Sequence, residues 1–120
     1  MTFPNINYKY NGSEEAKSLS AVVEQKLATL SKLIPDGARA VCEVEFEKIS
    51  AHHHGRIYRV ETNLSVDGHF YRAEATENTF EEAVSRVRDE LDSELCRAKD
   101  KQDTLGKRAG RMFKNLLSRS

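Results

Sequence analysis

Residues 58–77 read YRVETNLSVDGHFYRAEATE, and this stretch decides the fold. Asp67-Gly68 is the dipeptide of a type I′ turn, in which both central residues need positive φ. Centring a hairpin there pairs Val66 with His69 and Leu64 with Tyr71. Thr62 then faces Ala73, and Val60 faces Ala75. These pairs are mostly apolar, so turn chemistry and hydrophobic pattern choose one register. The opposite face of the hairpin carries Arg59, Glu61, Asn63, Arg72 and Glu74, with Phe70 exposed among them.

Downstream of the hairpin, Thr79 and Glu82 form a capping box that opens a helix. Phe80, Val84, Val87, Leu91, Leu95 and Ala98 recur at spacings of three and four, which makes one apolar stripe. This helix is expected to fade near 101–103. A weaker helical pattern follows, with Leu105, Ala109, Met112 and Leu116 on one face, and Gly106 and Gly110 lowering its propensity. Upstream, residues 40–49 alternate. Cys42, Val44 and Phe46 point one way, and Glu43, Glu45 and Glu47 the other, as in a strand with one wet face. Before it, Leu19, Val23, Leu27, Leu30 and Ile34 mark a helix over about 13–33, which Pro35 and Gly37 end. Asn11 and Glu14 match a capping box at its start. Residues 3–10 alternate again and read as a first strand.

The order is β-α-β-β-β-α with a tail, which predicts an α+β fold. Two helices cover one face of a four-stranded mixed sheet. The crossover through the first helix makes the first two strands parallel, and the remaining pairs are antiparallel. Residues 1–102 form the expected body, and 103–120 a basic tail.

At 120 residues the chain is one domain's worth. No apolar run approaches the roughly 20 residues of a membrane span. The first ten residues lack a signal-peptide layout. A cytoplasmic location and no membrane partner are therefore expected. Cys42 and Cys96 are far apart, without CxxC spacing, and read as small core hydrophobes. Formal net charge is zero, with 19 cations and 19 carboxylates. The last eighteen residues hold five cations against Asp103 alone, a balance of +4, which leaves −4 for the first 102. Basic tails meet nucleic acid or anionic surfaces, and they are equally ordinary as solvated ends.

The runs VCEVEFE at 41–47, YRVETNL at 58–64 and YRAEATENTFEEAV at 71–84 resemble the strands and the strand-to-helix segment of the family of ribosome hibernation-promoting factors and ribosome-associated inhibitor A. The resemblance spans about 3–102, in element order as well as local motif. It implies a non-catalytic protein that binds the small ribosomal subunit in the channel for messenger and transfer RNA, blocks initiation and preserves idle ribosomes under stress. It implies the subunit's ribosomal RNA as partner, no small-molecule substrate and no cofactor, and a monomer off the ribosome. Long members add a dimerisation domain, and this chain looks like a short form.

Family members set basic side chains on both helices against ribosomal RNA. By that resemblance the candidates here are Lys26 and Lys32 on the first helix. On the second helix and just beyond they are Arg86, Arg88, Arg97, Lys99 and Lys101. The tail's Lys107, Arg108 and Arg111 are added on their charge alone, as cations that compensate for those the second helix lacks. The physics is phosphate neutralisation, which weakens with salt. Where the family's second helix often reads KLERQLRKHK, this chain has ELDSELCRAK at 90–99. Glu90, Ser93 and Cys96 replace expected cations. These losses and the zero net charge keep a second reading open, a protein–protein interaction module of the same fold.

Other features have blander readings. His52-His53-His54 offers imidazoles, but adjacent residues converge poorly on one metal ion. No metal is expected, and a solvated loop comes first, a loop against RNA second. Phe70 beside Arg72 would suit base stacking, yet the glutamates on that face repel phosphate. No GxSxG or Gly-rich phosphate loop suggests an enzyme.

Overall fold

The computed structural model describes residues 3–12, 14–49 and 56–118, with side chains described as far as Lys101. Strand β1 (Ile6–Asn11) leads through a 3-10 helix (Glu14–Leu19), helix α1 (Ser20–Ala28) and a 3-10 turn (Ser31–Leu33) to β2 (Ala40–Lys48). Strands β3 (Tyr58–Val66) and β4 (His69–Glu77) follow, then helix α2 (Phe80–Ser118). The sheet order is β1-β2-β3-β4, with β1 parallel to β2 and the other two pairs antiparallel. The expected mixed four-stranded α+β fold is the observed one.

The hairpin has the register its turn demands. Val66 pairs with His69, Leu64 with Tyr71, Thr62 with Ala73 and Val60 with Ala75. Asp67 and Gly68 sit at φ 49° and 83°, the left-handed region a type I′ turn requires. Asp67 does more than turn the chain. Its carboxylate accepts the Arg39 backbone N–H at 2.8 Å, and its own N–H donates to the Arg39 carbonyl at 2.8 Å. The approach to β2 is thereby tied to the hairpin tip.

One core lies between sheet and helices. Phe46 is its centre, stacked on Tyr10 at 5.6 Å and edge-on to Phe80 at 5.3 Å. Val23, Leu27 and Leu30 close it from the first helical segment, and Val84, Val87 and Leu91 from α2. Each such side chain contributes about 1.5–3 kcal/mol by leaving water.

Several details depart from the sequence reading. The first strand starts at Ile6, not Phe3. The single first helix expected over 13–33 is a 3-10 helix, a nine-residue α-helix and a 3-10 turn. Local hydroxyls compete for its backbone: Ser18 donates to the Glu15 carbonyl and Thr29 to that of Lys26, each three residues back. Tightening at Leu30 and Leu33, whose N–H groups reach back three residues, keeps Leu30 and Ile34 in the core. Asn11 ends β1 with its amide donated to Glu45, and Glu14 opens the 3-10 helix while paired with Lys17 at 2.7 Å. The second helix does not fade near 101–103 but continues as one helix to Ser118. Gly106 and Gly110 cost about 1 kcal/mol each, which the helix formers around them offset. Cys42 is buried as expected, whereas Cys96 is exposed, because position 96 follows Leu95 out of the buried stripe.

Candidate nucleic-acid interface

Helix α2 carries most of the candidate cations, and its start is well set. The Thr79 hydroxyl accepts the Glu82 backbone N–H at 3.1 Å, and Glu81 and Glu82 lie in the first turn, where the helix dipole favours carboxylates. Charge then reverses along the axis. Residues 80–94 hold two cations against six carboxylates, a balance of −4. Residues 95–118 hold seven cations against two carboxylates, a balance of +5. Both halves suit the helix dipole, and only the second suits phosphate.

The described candidates fall into three groups. Lys26 and Arg88 close the seam between the helices. The Lys26 ammonium donates to the Ser85 hydroxyl, and Arg88 Nε donates to Thr29 Oγ1 at 2.9 Å. Arg88 also pairs with Asp89 at 3.0 Å and, more distantly, with Asp92 at 4.0 Å. Both cations are partly committed to holding the fold. Arg86 stands apart near the start of α2, where its Nε meets Glu77 at 3.2 Å. The third group is exposed and at most weakly paired: Lys32, Arg97, Lys99 and Lys101. Arg97 touches Glu94 only at 3.8 Å, with both side chains well exposed, and such a pair holds it weakly. Lys107, Arg108 and Arg111 lie on the continuous helix, and their side chains are outside the described residues. The three histidines of 52–54 lie outside the described residues as well.

Lys32 and Lys99 are brought together from segments far apart in sequence. They rim a cleft of about 470 Å³ between the 3-10 turn, the hairpin tip and α2, floored by Leu33, Tyr71 and Leu95. His69 lines the same cleft and escaped the sequence reading, although the hairpin register was its signal. Asp36 and Asp67 share the rim and temper its charge.

The open face of the sheet has the opposite character. Lys9, Arg59 and Arg72 stand there against Glu43, Glu45, Glu47, Glu61 and Glu74, a balance of −2. Arg59 is the hub, paired with Glu61 at 2.7 Å, with Glu74, and with Glu47 at 3.4 Å. Arg72 reaches Glu61 at 3.1 Å. The hydrogen bond from Arg59 and the nearby Arg72 charge hold the Glu61 carboxyl below its ordinary pKa.

Burial also shifts two groups outside these surfaces. Burial, then Glu43, pushes the Cys42 thiol up to about 12, so it stays protonated and a poor nucleophile. Burial likewise raises Tyr8, with Glu24 adding to it, and its hydroxyl donates to the Ser20 carbonyl at 3.3 Å. Among the described residues no three histidine, cysteine or carboxylate side chains gather to hold a metal. Nor is any helix of those residues long and apolar enough to cross a membrane.

The family model described as sigma 54 modulation protein / S30EA ribosomal protein matches residues 6–103. The chain belongs to that family. The match covers all four strands and α2 as far as 103, so the sequence resemblance and the structure agree on it. Two solved structures share the fold. The N-terminal domain of Protein Y from Thermus thermophilus aligns with a TM-score of 0.65 at 22% identity, over 78% of this chain and 98% of that one. A ribosomal subunit interface protein from Coxiella burnetii aligns with a TM-score of 0.61 at 20% identity, over 79% and 97% respectively. No curated protein sequence matches the chain.

Proposed function

We propose that this protein is a non-catalytic ribosome-binding factor of the hibernation type. It sits in the messenger and transfer RNA channel of the small ribosomal subunit and blocks translation by occupying it. It acts in the cytoplasm and is a monomer off the ribosome. Family membership supports the ribosome as partner, and the Coxiella burnetii neighbour, a ribosomal subunit interface protein, agrees with it.

The observation that carries the reading is the separation of charge. An RNA-facing surface must concentrate cations and keep carboxylates away. The second half of α2 does so at +5, with Lys32 beside it across the cleft, while the open sheet face and the first half of α2 are acidic. Contact is therefore made by Lys32, Arg97, Lys99, Lys101, Lys107, Arg108 and Arg111. Lys26, Arg86 and Arg88 serve the RNA less, because Ser85, Glu77 and Thr29 already engage them.

Co-sedimentation with purified small subunits at low and high salt tests this. With about seven phosphate contacts, affinity falls on the order of a thousandfold or more between 50 and 200 mM salt. Lys99→Glu combined with Lys101→Glu should abolish pelleting, and Arg86→Glu should change it little. No pelleting at low salt, or pelleting that salt leaves untouched, would refute the reading in favour of an interaction module of the same fold.

A further inference from the structure

The sheet face turned away from the helices carries a pattern that the RNA reading does not use. Register sets Val41, Ser65 and Phe70 in one row across β2, β3 and β4. Val41 is 50% exposed and Phe70 83%, and they are the exposed large hydrophobics among the described residues. Adjacent strands lie about 4.8 Å apart, so the two flank Ser65 at a separation of roughly 10 Å. The small serine stands between two large exposed apolar side chains. Two residues along β2, about 7 Å away, the acidic rows begin with Glu43 and then Glu45. Arg59 and Arg72 pair with Glu47, Glu61 and Glu74. Among the described residues no cation stands within salt-bridge distance of Glu43 or Glu45. Those two carboxylates wall a groove of about 380 Å³, with Asn7, Lys9 and Asn63 around it.

We propose that this open face docks a lysine- or arginine-rich protein segment that carries an aliphatic residue. The aliphatic side chain seats between Val41 and Phe70, and a neighbouring cation enters the Glu43–Glu45 groove. Charge complementarity selects the occupant. A face at −2 repels phosphate and attracts a basic peptide. The first half of α2 is more acidic still, but it exposes no large apolar side chain among the described residues, so it offers attraction without an anchor. The inference stands independently of the ribosome, because it concerns the surface opposite the cations.

The test is an amide-resolved NMR titration of the nitrogen-15-labelled full chain with a short synthetic peptide of alternating Lys and Ser around a central Leu. Saturable shifts are expected at Val41, Glu43, Glu45, Asn63 and Phe70. Phe70→Ala should weaken binding about tenfold, as loss of an anchor does, and so should replacing the peptide's Leu by Ser. Glu43→Gln with Glu45→Gln should weaken it by a similar factor and reduce its salt dependence. All of these side chains are exposed or at the surface, so the variants fold. Shifts that do not saturate, that centre on the first half of α2, or that are indifferent to both Phe70→Ala and the peptide's Leu would overturn the proposal.

Discussion

On the helix-covered face of the sheet, Cys42, Val44, Phe46, Val60, Thr62, Leu64 and Ala73 are buried. On the other face of the same strands, one residue along each time, stand Glu43, Glu45, Glu47, Arg59, Glu61 and Arg72. The alternation of a strand separates them completely. Packing holds the first face, where non-directional apolar burial dominates. Ion pairs of modest worth organise the second, where water screens most of the attraction. The difference teaches that stability resides on one face while the other is left open to choose partners. Truncating a large side chain on the covered face should cost several kcal/mol, and a change on the open face about 1 kcal/mol or less.

The largest effect should come from Phe46→Ala. Phe46 is fully buried and touches rings from β1 and α2. A loss of about 3–5 kcal/mol is expected, measured by urea unfolding. Phe70→Ala, the same substitution on the open face, should stay within about 0.5 kcal/mol. Equal costs would break the comparison.

Next in size is Glu61→Gln, expected to cost about 1 kcal/mol at neutral pH, because Arg59 and Arg72 lose their shared carboxylate. The folded-state pKa of Glu61 is depressed. Its contribution is therefore fully present above the unfolded carboxyl value and is lost as pH falls through the lower folded one. Unfolding curves of the two proteins should converge in acid below the ordinary glutamate range. A gap that persists there would assign the loss to packing rather than charge.

An effect of similar size and opposite sign sharpens the covered face. Thr62 is 1% exposed, and its Oγ1 finds no hydrogen-bond partner in the described structure. A buried hydroxyl without a partner costs about 1 kcal/mol or more. Thr62→Val keeps the shape and removes the hydroxyl, so it should raise stability by about that amount. A destabilised variant would mean that the hydroxyl is satisfied after all.

The hairpin was legible because everything that specifies it is local. Asp67-Gly68 supplies the turn, and the alternation on both sides supplies the register. The faces of the β2 strand and the stripe of α2 through Ala98 were equally legible, because period and turn chemistry are properties of consecutive residues. The first helix was less so. Its apolar positions were right, but the breaks at Leu19 and Ala28 depend on hydroxyls that bond back to the chain and on what the core needs at Leu30 and Ile34. Continuity of α2 through Gly106 and Gly110 escaped because two weak residues do not stop a helix that strong formers surround.

By itself the sequence determined the α+β class, the strand pairing, which residues of each strand face the core, and the family. Each follows from local periodicity, turn preference or motif. Only the tertiary structure decided which cations are free. Lys26 meets Ser85, and Arg88 meets Thr29, each across 59 positions, so both are bonded across the helix seam. It also decided that Lys32 and Lys99 share a cleft, and that Val41 and Phe70 flank one serine. The physical reason is the same in each case. Charge and apolar surface act through space, over a few ångströms, and the fold sets those distances.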